Sequence, residues 1–181
     1  FDNGNLRYTG TFNNGKEVGE FKYYSSTNSE HPIIVKKFDA KGIAKVFFYS
    51  EKGILESEGV MKGKHRIGKW IFFAKDGKTL ISEENYKEGE LEGQVITYYP
   101  NGQPTEVFNY KNGKIHGLVR RYSDEGIVLD EVMYEHGKRN GLAKYYNTKG
   151  ELLYSGHYEN DLKVGNWVYT KEGNRDKISN R

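Results

Sequence analysis

The chain has no cysteine, which excludes disulfide staples and thiolate metal sites and leaves the redox compartment open. Proline is scarce, with 3 residues against 22 glycines, a balance suited to many tight turns. No apolar run approaches the ~20 residues of a transmembrane helix. No sign of charge dominates: 28 basic residues against 25 acidic ones leave a net +3, interspersed along the chain, and this argues against a nucleic-acid partner. Aliphatic residues are also few, because the whole hydrophobic set is 35% of the chain, so a wide globular core is not expected. What the chain does have is aromatic rings, 14% of residues with 15 Tyr and 9 Phe, which argues against disorder. A thin structure clad in amphipathic tyrosines fits this balance, since Tyr buries its ring and keeps its hydroxyl wet.

The rings and glycines recur. Gly68, Gly93, Gly117, Gly141 and Gly165 are spaced 25, 24, 24 and 24 residues apart, and Ala44 and Gly19 extend the ladder backwards. A period in this range marks a repeat array, in which neighbouring units bury each other. With this column as position zero, position +2 reads Phe21, Val46, Trp70, Val95, Val119, Ala143 and Trp167. Position +5 reads Tyr24, Tyr49, Phe73, Tyr98, Tyr122, Tyr146 and Thr170. Position −7 reads Phe12, Met61, Tyr86, Tyr110, Tyr134 and Tyr158, always with six residues between it and the anchor. Short runs of strand formers bounded by Gly and Asn predict two-stranded hairpins. A second glycine column, Gly53, Gly77, Gly102, Gly126, Gly150 and Gly173, marks the turn to the next unit. The expected fold is all-β: an elongated single-layer antiparallel meander of about seven stacked hairpins over residues 1–170, with a polar cap or tail over 171–181. No stretch carries sustained helical apolar spacing.

A six-residue hairpin connection, with −7 facing the anchor, sets the expected register. Position −9 then faces +2, pairing Gly10 with Phe21, Val35 with Val46, Gly59 with Trp70, Val132 with Ala143 and Gly156 with Trp167. Both tryptophans land opposite glycine, a known cross-strand compensation. The same register sets Glu106 opposite Arg121, Glu131 opposite Lys144 and, unfavourably, Lys36 opposite Lys45. The second unit departs most: Ser25 to Pro32 lacks a turn glycine and Ala44 replaces the anchor. Sequence drift and a specific bend or contact loop both account for that.

The run Tyr8-Thr9-Gly10-Thr11-Phe12, then Asn14-Gly15-Lys16, then Gly19-Glu20-Phe21, resembles the MORN-repeat family, in its bacterial variant form. Tyr154-Ser155-Gly156-His157-Tyr158 with Gly165-Asn166-Trp167 repeats the pattern, and Gly59-Val60-Met61 with Gly68-Lys69-Trp70 echoes it. Glu84, Phe108 and Val132 replace the family glycine in the middle units. The resemblance covers roughly residues 6–170. It implies a curved sheet of stacked hairpins acting as a scaffold that contacts protein or lipid, with catalysis, where present, in a separate domain. Some bacterial members carry an antitoxin label.

No active site is legible. The histidines His31, His65, His116, His136 and His157 have no metal-ligand spacing, so no metal and no cofactor is expected. Adjacent carboxylates such as Glu83-Glu84 alternate faces on a strand and form no acid–base pair. The glycines are too far apart for a phosphate loop. Two surfaces are candidates for binding. The first is the aromatic stripe at +5: Tyr24, Tyr49, Phe73, Tyr98, Tyr122 and Tyr146. The second is a basic edge at the hairpin loops: Lys16, Lys64, Arg66, Lys114, Lys138 and Arg139, suited to anionic lipid headgroups at ~1 kcal/mol per charge.

The expectation is therefore a non-catalytic scaffold that binds a protein partner through its aromatics. Lipid binding through the lysine edge, a carbohydrate-contacting envelope protein and antitoxin-like partner binding are the alternatives. An open meander has two unpaired edges, so self-association is also expected. The chain begins at Phe1 and reads as trimmed, which leaves the bacterial envelope and the cytoplasm both open.

Overall fold

The computed structural model describes residues 1–171. The strands are β1 (Tyr8–Asn13), β2 (Lys16–Tyr24), β3 (Pro32–Phe38), β4 (Ile43–Tyr49), β5 (Leu55–Lys62), β6 (His65–Phe73), β7 (Leu80–Lys87) and β8 (Glu90–Tyr98). They continue as β9 (Pro104–Lys111), β10 (Lys114–Ile115), β11 (Gly117–Tyr122), β12 (Val128–Glu135), β13 (Lys138–Tyr146), β14 (Leu152–Glu159) and β15 (Leu162–Tyr169). They pair in chain order in one open antiparallel sheet, a meander of hairpins, with β10 bonded to β9 at the start of the strand that β11 continues. The chain forms two compact units, Phe1–Glu90 and Leu91–Arg181. The expected polar cap lies outside the described residues except for Lys171.

The hairpin connections are tighter than the six residues expected. Asn14-Gly15, Glu88-Gly89, Asn112-Gly113, His136-Gly137 and Asn160-Asp161 each place both residues at positive φ, the signature of a two-residue type I′ turn. The ladder therefore closes to the turn: Phe12 faces Glu17, Met61 faces Arg66, Tyr134 faces Arg139 and Tyr158 faces Lys163. Position −7 meets −2, not the anchor. The two residues left over are absorbed as a bulge at the anchor glycine, where the register steps from Thr9–Lys22 to Thr11–Val18. Gly19 sits at φ 69°, which an L side chain resists.

Beyond the bulge the pairing is the expected one. Val132 faces Ala143, Glu131 faces Lys144 and Glu106 faces Arg121. The second hairpin differs: Lys36, not Val35, faces Val46, and Lys37, not Lys36, faces Lys45. Ala44 does not take the positive φ that a bulge requires, so β3 and β4 pair without interruption from Ile34–Phe48 to Phe38–Ala44. They close through Asp39–Ile43, with Gly42 at φ 74°. The long connection before β3 is tied to the next turn, because Ser25 and Thr27 both donate to Glu51 at 2.6 Å.

One row of positions carries the core of each unit. In the first it runs Gly10, Phe21, Lys36, Val46, Gly59, Trp70, Glu84 across neighbouring strands. Phe21, Val46 and Trp70 are 0% exposed although no second layer covers them. Their cover comes from the same face: Phe48 and Phe72 stand 6.0 and 6.4 Å from the Trp70 ring. Burying one such side chain contributes about 1.5–3 kcal/mol. In the second unit the row includes Val119, Val132, Ala143 and Gly156, with Tyr158, Tyr145 and Trp167 packed on it. We call this the aromatic face. The opposite face carries exposed ion pairs such as Lys45–Glu58 at 3.4 Å, Lys69–Glu83 at 2.8 Å and Arg120–Glu131 at 2.9 Å, each worth about 0–1 kcal/mol.

Candidate functional site

The Gly–Trp contacts organise the aromatic face. A Cβ built on Gly59 would stand 2.2 Å from the Trp70 ring, and one on Gly156 would stand 2.2 Å from the Trp167 ring, so each indole lies flat on bare backbone. Phe21 lies on Gly10 in the same way at 2.5 Å. The Trp70 Nε1–H donates to the Val60 carbonyl at 3.1 Å.

Cations cap these rings. Arg66 lies 4.5 Å over Trp70 and 5.4 Å over both Phe72 and Tyr86, and it donates to the Tyr86 hydroxyl at 3.1 Å. Arg139 lies 4.3 Å over Tyr158 and pairs with Asp161 at 3.1 Å; its backbone N–H first, and then its guanidinium, hold the Asp161 carboxyl below its ordinary range. Lys163 lies 4.2 Å over Trp167. All three occupy position −2, on the same face as the −7 residue. Arg66 and Arg139 are therefore pieces of the aromatic face and not of a free basic edge. Lys16, Lys64, Lys114 and Lys138 do stand exposed at the tight turns.

The +5 residues Tyr24, Tyr49, Phe73, Tyr98, Tyr122 and Tyr146 are all half-buried, at the strand ends where the register shifts. Tyr146 donates to Glu131 at 2.9 Å, and Tyr49 stacks at 6.5 Å on Phe47, which Lys45 covers at 4.9 Å. This stripe is set among the ion pairs of the charged face. The larger aromatic surface is on the other side.

Buried phenols on the aromatic face titrate late. Burial first, and then hydrogen bonds to Glu17 and Tyr158 respectively, push the Tyr23 and Tyr145 hydroxyls well above the ordinary phenol range. His116 and His136 approach to 5.8 Å between ring centres, but among the described residues no three His, Asp or Glu side chains are grouped to hold a metal.

A cleft opens at the hairpin tips of the first unit. It measures 390 Å³ and is walled by the tips of β1–β2, β3–β4 and β5–β6, with Phe12, Phe38, Ala44 and Met61 as its apolar lining. A second hollow of 590 Å³ adjoins it between the first two tips, sharing Lys16, Glu17 and Phe38. The sequence carried a signal for this place, the loss of the anchor glycine at Ala44. Phe12 and Met61 belong to the −7 column, but Phe38, and the meeting of the three at one cleft, are not conspicuous without the altered register.

The repeats can now be compared with known ones. The family model described as MORN repeat variant matches residues 91–112 and 139–160. Both stretches start at position −2, run through a turn with a +5 tyrosine and a second-column glycine, and end on the first residue of the next type I′ turn. These two stretches are MORN-variant repeats. The MORN-variant unit is thus the strand pair around the wider turn, β8–β9 and β13–β14, and the tight hairpin turn is the junction between units. No curated protein sequence matches the chain. Among solved structures, a crystal structure of S. aureus TarM in complex with fondaparinux, alpha-GlcNAc-glycerol and UDP is 13% identical over 74% of this chain and 21% of that one, with a TM-score of 0.31. This chain therefore spans about a fifth of the TarM chain. A protein of unknown function from Bacteroides fragilis is 13% identical over 95% of this chain and 97% of that one, with a TM-score of 0.17.

Proposed function

We propose that the chain is a non-catalytic repeat scaffold that binds a protein partner on its aromatic face. The observation that carries this reading is a graded run of rings at β1. Phe12 is 51% exposed and Tyr8 44% exposed, and they meet edge to face at 6.1 Å. Phe12 in turn meets the fully buried Phe21 at 5.0 Å. A core that continues into exposed rings favours an interface, and aromatics are the residues enriched there. The antitoxin-like partner suggested by resemblance would be one case of this reading.

A photo-crosslinking side chain placed at Phe12, with a control at Lys45 on the charged face, tests it in cells. Adducts from position 12 and not from 45, removed by Tyr8→Ser, are expected. Equal labelling from both positions would refute the assignment of the face.

The exposed Lys16, Lys64, Lys114 and Lys138 favour a second reading, contact with an anionic membrane surface. Co-sedimentation with phosphatidylserine vesicles, lost at high salt and on Lys16→Glu with Lys64→Glu, would support it. No co-sedimentation at low salt removes it.

A further inference from the structure

We propose that the cleft at the hairpin tips of the first unit binds an acidic peptide segment of the partner, anchored by one aromatic or aliphatic side chain. This rests on the protein-partner reading above and names the chemistry of the contact.

The cleft follows from one missing device. The first and third hairpins bend at their glycine bulges, whereas the second, with Ala44, has none and runs straight. In the third, sixth and seventh hairpins position −2 is Arg66, Arg139 or Lys163, and its cation roofs the aromatic beneath. In the second hairpin position −2 is Gly42, so no cation from that position roofs Phe38, which packs against the buried Ala44. Added side chains at Gly15, Gly42 and Gly63 would meet nothing within 4 Å, so a ligand can approach the rim backbone. A volume of 390 Å³ lies within the ~300–1,000 Å³ of ligand-holding clefts.

Charge selects the ligand. The carboxylates of the cleft and of the hollow beside it, Glu17 and Asp39, are already satisfied. Glu17 accepts from Lys36 Nζ at 3.1 Å and from the Tyr23 hydroxyl, and Asp39 accepts from the backbone N–H groups of Lys41 at 2.8 Å and Ile43 at 2.9 Å. Lys16, on the cleft, and Lys41, in the adjoining hollow, are exposed and form no ion pair among the described residues. A ligand carboxylate meets two unengaged ammonium groups and displaces nothing. A ligand cation meets carboxylates that are taken and lysines that repel it. The apolar anchor removes Phe12, Phe38 and Met61 from water.

The two methionines, Met61 in the cleft and Met133 in the second unit, supply a built-in assay. The whole chain is labelled at the methionine methyls and titrated with the blocked hexapeptide Glu-Asp-Phe-Leu-Asp-Glu or its analogue with four lysines in place of the acids. The acidic peptide is expected to shift Met61 saturably and leave Met133 in place, with the lysine analogue at least about tenfold weaker. Lys16→Glu with Lys41→Glu should reverse that order, and Phe12→Ser should weaken the acidic peptide while leaving the methyl spectrum folded. The proposal is overturned by no Met61 shift at about 5 mM peptide, beyond the weak end of useful recognition. It is equally overturned by equal binding of the two peptides, or by binding indifferent to the lysine reversal. A Met61 shift that follows protein concentration alone assigns the cleft to a second copy, and one that phosphatidylserine vesicles produce instead of peptide assigns it to lipid; either result also overturns it. A cellular crosslink from position 12 that survives the lysine reversal would retire the cleft and leave the scaffold reading standing.

Discussion

Gly59→Ala is the substitution that most directly probes how this sheet holds its core. The methyl group would stand 2.2, 2.4 and 2.5 Å from Cδ2, Cε2 and Cγ of Trp70, far inside contact distance. Gly59 is not among the positive-φ residues, so the backbone accepts alanine, and the entropic effect alone would stabilise by about 0.4–1 kcal/mol. The ring has little freedom to yield. Trp70 is 0% exposed, its Nε1–H is bonded to Val60, and Arg66 lies over its other side. Overpacking of this kind costs about 1–3 kcal/mol, so the net expectation is a loss of about 1–2 kcal/mol. Urea unfolding followed by far-ultraviolet circular dichroism measures it. In a Trp70→Val background the same change should turn neutral or stabilising, because Val132 facing Ala143 shows that the row accepts two side chains of moderate size. The effect at Gly156→Ala should be smaller, since Trp167 is only half-buried. A Gly59→Ala protein within about 0.5 kcal/mol of the parent, or an equal effect in both backgrounds, would refute the ring-on-backbone account.

Gly68→Ala acts differently: nothing stands within 4 Å of the added Cβ, but the residue sits at φ 62°, so a loss of about 1–2 kcal/mol in urea unfolding is expected from the backbone alone, and no loss would show that the bulge does not depend on glycine. At alkaline pH, Tyr23, Tyr145 and Tyr154 have phenols raised above 10.0, chiefly by burial, so their contribution is complete below pH 10.0 and is lost as pH rises past it. Ultraviolet titration should show phenols lagging the rest, with Tyr145→Phe removing one; simultaneous titration of all 15 tyrosines would contradict this. At acid pH, the Thr79 hydroxyl and then the N–H groups of Lys78 and Thr79 lower the Asp76 carboxyl to about 2 from 3.8. Its contribution is present above pH 3.8 and fades as pH falls toward 2, so Asp76→Asn should flatten the stability profile in that window; an unchanged slope counts against the turn's role.

The outer half of each hairpin was legible because side-chain sizes encode it. A tryptophan opposite glycine at 59/70 and 156/167, and alanine opposite valine at 132/143, are volumes that only one register reconciles. The inner half was not, because six residues between Phe12 and Gly19 are equally consistent with an open loop and with a type I′ turn followed by a bulge. Asn14-Gly15 and Asn112-Gly113 were turn signals in plain view, but Glu88, His136 and Asp161 adopt positive φ without any such cue. That missing bulge also misplaced the cations. With −7 facing the anchor, Arg66 and Arg139 fall in the loop edge; with −7 facing −2 they lie on the rings of Trp70 and Tyr158.

A sheet with one layer must cover its apolar face from within that face, and in the third, sixth and seventh hairpins a cation at position −2 does so. A cation there shields a ring at little cost in desolvation, because its charged end remains at the surface while its stem lies on the aromatic. The same roof denies the ring to any ligand. Binding capacity should therefore concentrate where the roof is absent, and in the second hairpin of the first unit position −2 is Gly42, with no side chain at all, and Ala44 stands at the anchor. Under this logic Gly42→Arg, with a side chain able to lie over Phe38, should close the cleft without disturbing the core row. The Met61 methyl would then lose its response to the acidic peptide, at a backbone cost of about 1–2 kcal/mol like that expected at Gly68. A Gly42→Arg chain that unfolds would instead implicate the φ of 74° at that position, and Gly42→Asn, which tolerates that conformation and is too short to reach the ring, separates the two effects.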